Sequence, residues 1–192
     1  ETRTIAVAMS GGVDSSVAAA LLQEQGHAVF GLMLRLWSPE GIRNRCCAPE
    51  DMAMARKVAA QLDIPFYTLD AQKLFKQKVV DYFVNGYRKG VTPNPCLACN
   101  QHIRFRFMLE QALVLGATHM ATGHYARVHF EKGRYKLLRG VDAKKDQSYV
   151  LSILSQAKLA QTMFPLGELT KVEVRQHAQR LNLPVAERPD SQ

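Results

Sequence analysis

Acidic residues are missing from a long central stretch of this chain. Between Tyr82 and Leu109 there is no aspartate or glutamate, while Arg88, Lys89, Arg104 and Arg106 all fall inside. Other absences narrow the class further. No apolar run approaches the roughly 20 residues that a membrane-spanning helix needs. The sequence as given does not open on a basic-then-apolar leader. Cysteine is scarce, four in 192 residues, which does not suit a disulfide framework. The expectation is therefore a reduced, cytoplasmic protein with no membrane partner. No internal repeat or low-complexity segment interrupts it.

What is present suits an ordinary α/β domain. The chain is 47% hydrophobic and 22% charged, and it is long enough to bury a core without staples. Its formal net charge of +8 favours a polyanionic partner. Apolar strands alternate with amphipathic helices. "TIAVAM" (4–9), "HAVFGLMLRLW" (27–37), "IPFYTLD" (64–70) and "THMATGHY" (118–125) read as strands. The second is too apolar to be exposed on one face. Helices are predicted over 14–25, 49–62, 71–87 and 100–115, and a capping box in "TKVE" (170–173) opens a last one. "ARVHFEKGRYKLLRG" reads as a hairpin turning at Lys132-Gly133. Strands of this kind separated by helices imply a Rossmann-like parallel sheet covered on both faces, with a small hairpin and helical extension.

The first strand runs into "MSGGVDSS" (9–16) and then a helix. Gly11 and Gly12 permit a tight turn. Ser10, Ser15 and Ser16 offer hydroxyls, and the loop amides with the helix N-terminus form an anion site. Asp14 is placed as the helix N-cap. A carboxylate beside phosphates calls for a magnesium ion between them. The loop lacks both the Walker lysine and the GxGxxG spacing.

The third signal is "TPNPCLACN" (92–100), with Cys96 and Cys99 three apart inside the acid-free stretch. Zinc needs four ligands, and Cys46-Cys47 are adjacent, the wrong spacing for a second pair. A redox pair, a structural pair, two ligands of an iron–sulfur cluster and a sulfur-carrying thiol all remain open. For the last, Cys99 stands just ahead of the predicted helix 100–115, with Arg104 and Arg106 nearby to favour a thiolate.

Taken together, "MSGGVDSS", "GLMLRLW", "TPNPCLACNQHIRF", "ATGHYARV", "GVDAKKDQSYVL" and "ERPDSQ" resemble the tRNA-uridine 2-sulfurtransferase (2-thiouridylase) family, whose N-terminal part is an ATP pyrophosphatase (PP-loop) domain of adenine nucleotide alpha-hydrolase-like fold. The resemblance implies thiolation of the wobble uridine of tRNA. ATP adenylates the C2 oxygen, and sulfur arrives from a persulfide donor, a cysteine desulfurase or relay protein. It implies ATP binding by Ala8, Met9, Ser10, Gly11, Gly12, Val13, Asp14, Ser15, Leu34 and Gly123, with Mg2+. It makes Cys99 the nucleophile. Asn94, Pro95 and Cys96 line the target base, and His124, Lys145, Asp146 and Gln147 contact tRNA. Without the motif, His124 reads as an ordinary loop histidine.

Many members of that family carry aspartate where this chain has Cys96. Two cysteines in the loop favour a [4Fe-4S] cluster held by Cys96, Cys99 and a third cysteine expected beyond Gln192. The alternative is attack by Cys99 on a persulfide, leaving a disulfide and no metal. The expected domains are 1–165, the PP-loop catalytic unit, and 166–192, the start of a linking region. Both ends of the sequence suggest a piece of a longer protein. Two rival functions stay open: another PP-loop synthetase acting on a small substrate, and a non-catalytic nucleotide- or zinc-binding module.

Overall fold

The computed structural model of the chain describes residues 2–39 and 48–189, so Cys46 and Cys47 lie outside the described residues. The strands are β1 (Thr4–Ala8), β2 (Ala28–Arg35), β3 (Phe66–Asp70), β4 (His119–Thr122), β5 (Ala126–Glu131), β6 (Arg134–Arg139) and β7 (Thr162–Met163). The α-helices are α1 (Val13–Glu24), α2 (Pro49–Gln61), α3 (Gln72–Phe75), α4 (Asp81–Arg88), α5 (Pro95–Cys99), α6 (Leu109–Val114), α7 (Gln156–Ala160) and α8 (Lys171–Arg180).

Five strands form one sheet in the order β3-β2-β1-β4-β7, every neighbouring pair parallel. All six interior residues of β2 are buried, as its unbroken apolar run requires of a strand covered on both faces. Alternation along β1 divides the core. Ile5 and Val7 face α1, α2 and α8, packing with Val17, Ala18, Val58, Val174 and Ala178. Ala6 faces the other way, with Leu32, Leu34, Ile103, Phe105, Met108 and Leu151. The expected doubly covered α/β sheet is thus observed. β5 and β6 form the separate hairpin, and positive φ at both Lys132 and Gly133 matches the turn that suits strand twist.

The order of strands reverses between β1 and β4, so the crevice above their carboxyl ends is where such a sheet binds ligands. Two local expectations are corrected there. Gly12, not Asp14, is the N-cap of α1, and Asp14 stands in its first turn. The helix expected over 100–115 begins five residues earlier. Asn94 caps it, its side-chain oxygen accepting from the amides of Cys96 and Leu97 at 3.0 and 3.1 Å, and Pro95 occupies the first position, where its missing N–H costs nothing. From α5 the chain passes through a wider π-helical stretch, Asn100–Met108, into α6 without a break. Cys99 therefore ends the first turns of a helix rather than preceding one.

Beyond residue 165, Leu166, Val174, Ala178, Leu183 and Val185 belong to the same core as α1. On the opposite face Phe105 is fully buried, its ring 6.1 Å from that of His124 and 6.3 Å from that of Phe164. Phe105→Ala is expected to lower the unfolding free energy by about 3–5 kcal/mol, checked by urea denaturation.

Candidate active site

Gly11 turns the chain out of β1 at φ +74, a conformation that glycine adopts without a Cβ penalty. A Cβ there would stand 2.2 Å from the carbonyl oxygen of Asp51, at the start of α2. Hydroxyls brace the turn from inside. The Ser15 oxygen accepts from the Ser10 amide at 3.1 Å and lies 3.2 Å from the Ser10 hydroxyl. The Ser16 hydroxyl donates to Gly12 O at 2.8 Å. Ser15 and Ser16 are buried and Ser10 is exposed at the rim. Gly123, after β4, lies so close to α1 that a Cβ would meet the Ser15 amide nitrogen at 2.8 Å. The loop amides are thus held in a fixed cradle at a helix N-terminus, the arrangement that binds phosphate.

A narrow cleft beside this loop is lined by Ala8, Met9, Ser10, Leu34, Arg104 and Met108, among others. It joins the phosphate loop to the helix that carries the cysteines. Cys99 is half-buried among the apolar residues on the same face of the sheet as Leu34. Cys96 is exposed. Three residues apart on a helix, the two thiols share a face. Among the described residues no group of three His, Cys, Asp or Glu side chains stands together as a metal site. No third ligand of that kind stands with the pair among the described residues.

The carboxylate of Asp14 is the charged centre of the loop. Its Oδ1 accepts from the Tyr125 hydroxyl at 2.8 Å and from Lys171 Nζ at 2.6 Å. Sequence reasoning missed both partners. Nor does the sequence point to Arg188, which braces the turn without touching Asp14: it donates to Gly11 O at 2.7 Å and to Asp51 Oδ1 at 2.9 Å, tying the turn to α2. The capping box at Thr170 does put Lys171 at the start of a helix, but nothing local points that helix at residue 14.

His124 was expected on the RNA side and is found inside. It is 8% exposed. Arg104 Nη1 lies 3.4 Å from its Nε2 and the Thr122 hydroxyl 2.8 Å from its Nδ1. A guanidinium can only donate, so Nε2 accepts and Nδ1 carries the proton to Thr122. Burial, with the Arg104 charge adding to it, pushes the His124 pKa down to about 3. Arg104 is itself held by Asn100 Oδ1 at 3.3 Å, and faces the cleft rather than open solvent. Arg88, Lys89 and Arg106 are exposed.

The segment 145–147 is half-buried and braced from within. Asp146 accepts from the amides of Gly140 and Ser148 and from the Ser148 hydroxyl. Gln147 pairs with the backbone of Tyr125 on both sides. Asp142 is held below the usual carboxylate range, chiefly by the amide of Lys171, with those of Lys144 and Lys145 adding to it.

The buried neutral His124 makes stability depend on pH in one direction. Between about pH 6.5, the ordinary histidine value, and about 3, the unfolded chain binds a proton that the folded chain does not. Its contribution is full above that window and falls as pH drops through it, by about 1.4 kcal/mol per unit. In urea titrations from pH 7 to 5, the stability gap between the parent chain and His124→Gln is expected to narrow by about 1–2 kcal/mol. A constant gap would show that the ring does not stay neutral.

A family model described as the tRNA methyl transferase HUP domain matches residues 3–192. The tRNA-specific 2-thiouridylase MnmA of Heliobacterium modesticaldum is 50% identical over 98% of this chain and 50% of its own length. That of Carboxydothermus hydrogenoformans is 51% identical over 99% of this chain and 54% of its own length. The chain thus spans about half the length of the curated relatives it matches. Among solved structures, the U34-tRNA thiolase NcsA of Methanococcus maripaludis with its [4Fe-4S] cluster superposes with TM-score 0.61 at 21% identity, over 98% of this chain and 59% of that one. A 4-thiouridine synthetase in complex with RNA and bound ATP gives 0.60 at 18%, over 97% and 43%. These two share the fold. With the family model running from residue 3 to the end of the sequence, the chain belongs to the tRNA methyl transferase HUP-domain family.

Proposed function

We propose that this chain is the ATP-using part of a tRNA-uridine 2-sulfurtransferase, which makes 2-thiouridine at the wobble position. The observation that carries the reading is the cleft that Ser10, Leu34 and Arg104 share. It opens beside a phosphate cradle on one side and the cysteine-bearing helix on the other. Its support from relatives is the roughly half-length match to 2-thiouridylases at 50–51% identity.

In this reading ATP lies with its phosphates on the loop 10–15 and its adenine toward Leu34, with Gly123 closing over the helix start. Asp14 and the loop hydroxyls are the groups that would hold Mg2+, which supplies charge neutralisation for the phosphates. The uridine C2 oxygen attacks the α-phosphorus and pyrophosphate leaves. A sulfur nucleophile then attacks C2, and AMP departs with the former oxygen. Asn94 and Pro95 shape the base pocket by starting the helix, and Cys99 handles sulfur. The segment Lys145–Gln147 and the basic face of Arg88, Lys89 and Arg106 meet tRNA. His124 orients Arg104 in the cleft rather than touching RNA. The nucleotide unit extends past residue 165 to include α8, whose Val174 and Ala178 share the core of α1, and the chain beyond α8 leads toward the linking region. The sulfur donor is a persulfide-bearing protein of the cytoplasm.

Cys96 beside Cys99 favours the route in which both thiolates bind a [4Fe-4S] cluster, which would hold the incoming sulfur. The disulfide route needs only Cys99 and a persulfide on a second cysteine. Iron and sulfide assay of the protein extended to its relatives' length, purified anaerobically, separates them: full thiolation without iron would remove the cluster.

The small-substrate synthetase would leave the acid-free stretch unused. The expected outcome is ATP–pyrophosphate exchange that depends on tRNA and not on any small carboxylic acid. Asp14→Ala or Cys99→Ser should abolish 2-thiouridine formation, scored by mass spectrometry of digested tRNA, while the melting temperature stays near that of the parent. Exchange without tRNA would instead support a small-substrate synthetase.

A further inference from the structure

The phosphate loop lacks a lysine of its own, yet an ammonium group stands in it. Lys171, the first residue of α8, places Nζ 2.6 Å from Asp14 Oδ1 and is 157 residues away in sequence. Its side chain is 13% exposed and that of Asp14 24%. We propose that Lys171 is the cation of the phosphate loop, supplied from α8, and that it binds the β- and γ-phosphates of the nucleotide and the pyrophosphate released from it. The proposal rests on the nucleotide reading above and adds a residue to it.

Three observations carry it. First, Asp14 sets a negative charge in the first turn of the helix whose N-terminal amides face the ligand. A polyanion approaching there meets repulsion unless a cation offsets it, and Lys171 is the cation in contact. Second, the ammonium is delivered by a rigid mount. The Lys171 amide donates to Asp142 Oδ2 at 2.9 Å. Thr170 and Glu173 close a capping box around the start of α8. The Tyr125 ring lies 6.0 Å from Nζ, and its hydroxyl holds the same Asp14 oxygen. Third, α8 does not need this pair to stay on α1. Val174 and Ala178 already bury themselves in that core, and Arg180 grips Glu24 with two hydrogen bonds of 2.8 and 2.7 Å. Drawing a lysine and a carboxylate partly out of water is costly and adds little stability, so their placement at the loop calls for a ligand.

An ammonium has three donors, so Nζ can serve Asp14 and a phosphate oxygen together. During adenylation the base oxygen bonds to the α-phosphorus and the bond from that phosphorus to the β-bridging oxygen breaks. The electron pair stays on pyrophosphate, and Lys171 offsets that charge without giving up a proton.

Calorimetric titration of the 192-residue chain tests this with two probes, inorganic pyrophosphate in EDTA and MgATP. Lys171→Met should weaken both by about ten- to hundredfold, and Lys171→Arg should recover most of the loss. A double variant, Asp14→Asn with Lys171→Met, should bind metal-free pyrophosphate somewhat better than Lys171→Met, because a repelling charge is gone, yet stay well short of the parent chain. Should Lys171→Met not fold, Lys171→Gln carries the same expectation. Unchanged binding by a folded Lys171→Met, or recovery to the parent's pyrophosphate affinity in the double variant, overturns the proposal. The latter would mean that Lys171 only screens Asp14. If the parent chain takes up neither probe, the nucleotide reading itself falls and this one with it.

Discussion

The chain can leave β1 and enter α1 within four residues only because Gly11 has no side chain. At φ +74, with the Asp51 carbonyl 2.2 Å from where a Cβ would be, any other residue would have to push α2 away or abandon the turn. That turn faces the loop amides outward and lets Ser15 reach back to the Ser10 amide. It also presents the Gly11 carbonyl to Arg188. Gly123 repeats the constraint from β4, where the approach to the Ser15 amide leaves no room for a methyl. The site is therefore a consequence of two missing side chains at a sheet's switch point, and the serines and Asp14 are useful only because that backbone is fixed.

Charge is the second constraint. A helix N-terminus favours anions, and this one already carries a carboxylate. Its neutralisation comes from the far end of the chain: Lys171 on Asp14, and Arg188 across Gly11 and Asp51. Residues beyond 165 thus complete the electrostatics of a loop that residues 9–16 begin. Tyr125 and Asp142 link the same point to the segment 140–147, because Gln147 is paired with the Tyr125 backbone and Asp142 with the Lys171 amide.

Much of this was legible in the sequence, for physical reasons. β2 is apolar on both faces because both faces are covered, and that pattern survives without coordinates. Thr170 and Glu173 mark a helix start because the box satisfies amides locally. The glycine pair after β1 advertises its turn. Interactions that close over long separations were not legible. Lys171 to Asp14 and Arg188 to Gly11 span 157 and 177 residues, and no local pattern encodes where α8 docks. His124, at the end of the stretch 118–125, gave no local sign of its burial, which depends on Phe105 and Phe164 arriving from other elements. The stretch before Cys96 was misread for a subtler reason. Asn-Pro is both a turn signal and a helix start, and only the two amides bonded to the Asn94 side chain decide between them.

That helix start bears directly on the sulfur chemistry. Had the helix begun at residue 100, Cys99 would sit at its positive end and draw thiolate character from the dipole. Starting at Pro95, the helix leaves Cys99 beyond the first turn, within which the dipole effect fades. The two cysteines are then unequal. Cys96 is exposed near the helix start, while Cys99 is half-buried on the cleft face, one residue before Asn100, which holds Arg104. In that setting the fixed charge nearest in sequence is a guanidinium engaged by Asn100 and by the neutral His124. Position 99 thus lies past the turn that the dipole serves, on the sheet face that also carries Leu34, and one helix joins it to the Arg104 that lines the cleft beside the phosphate loop.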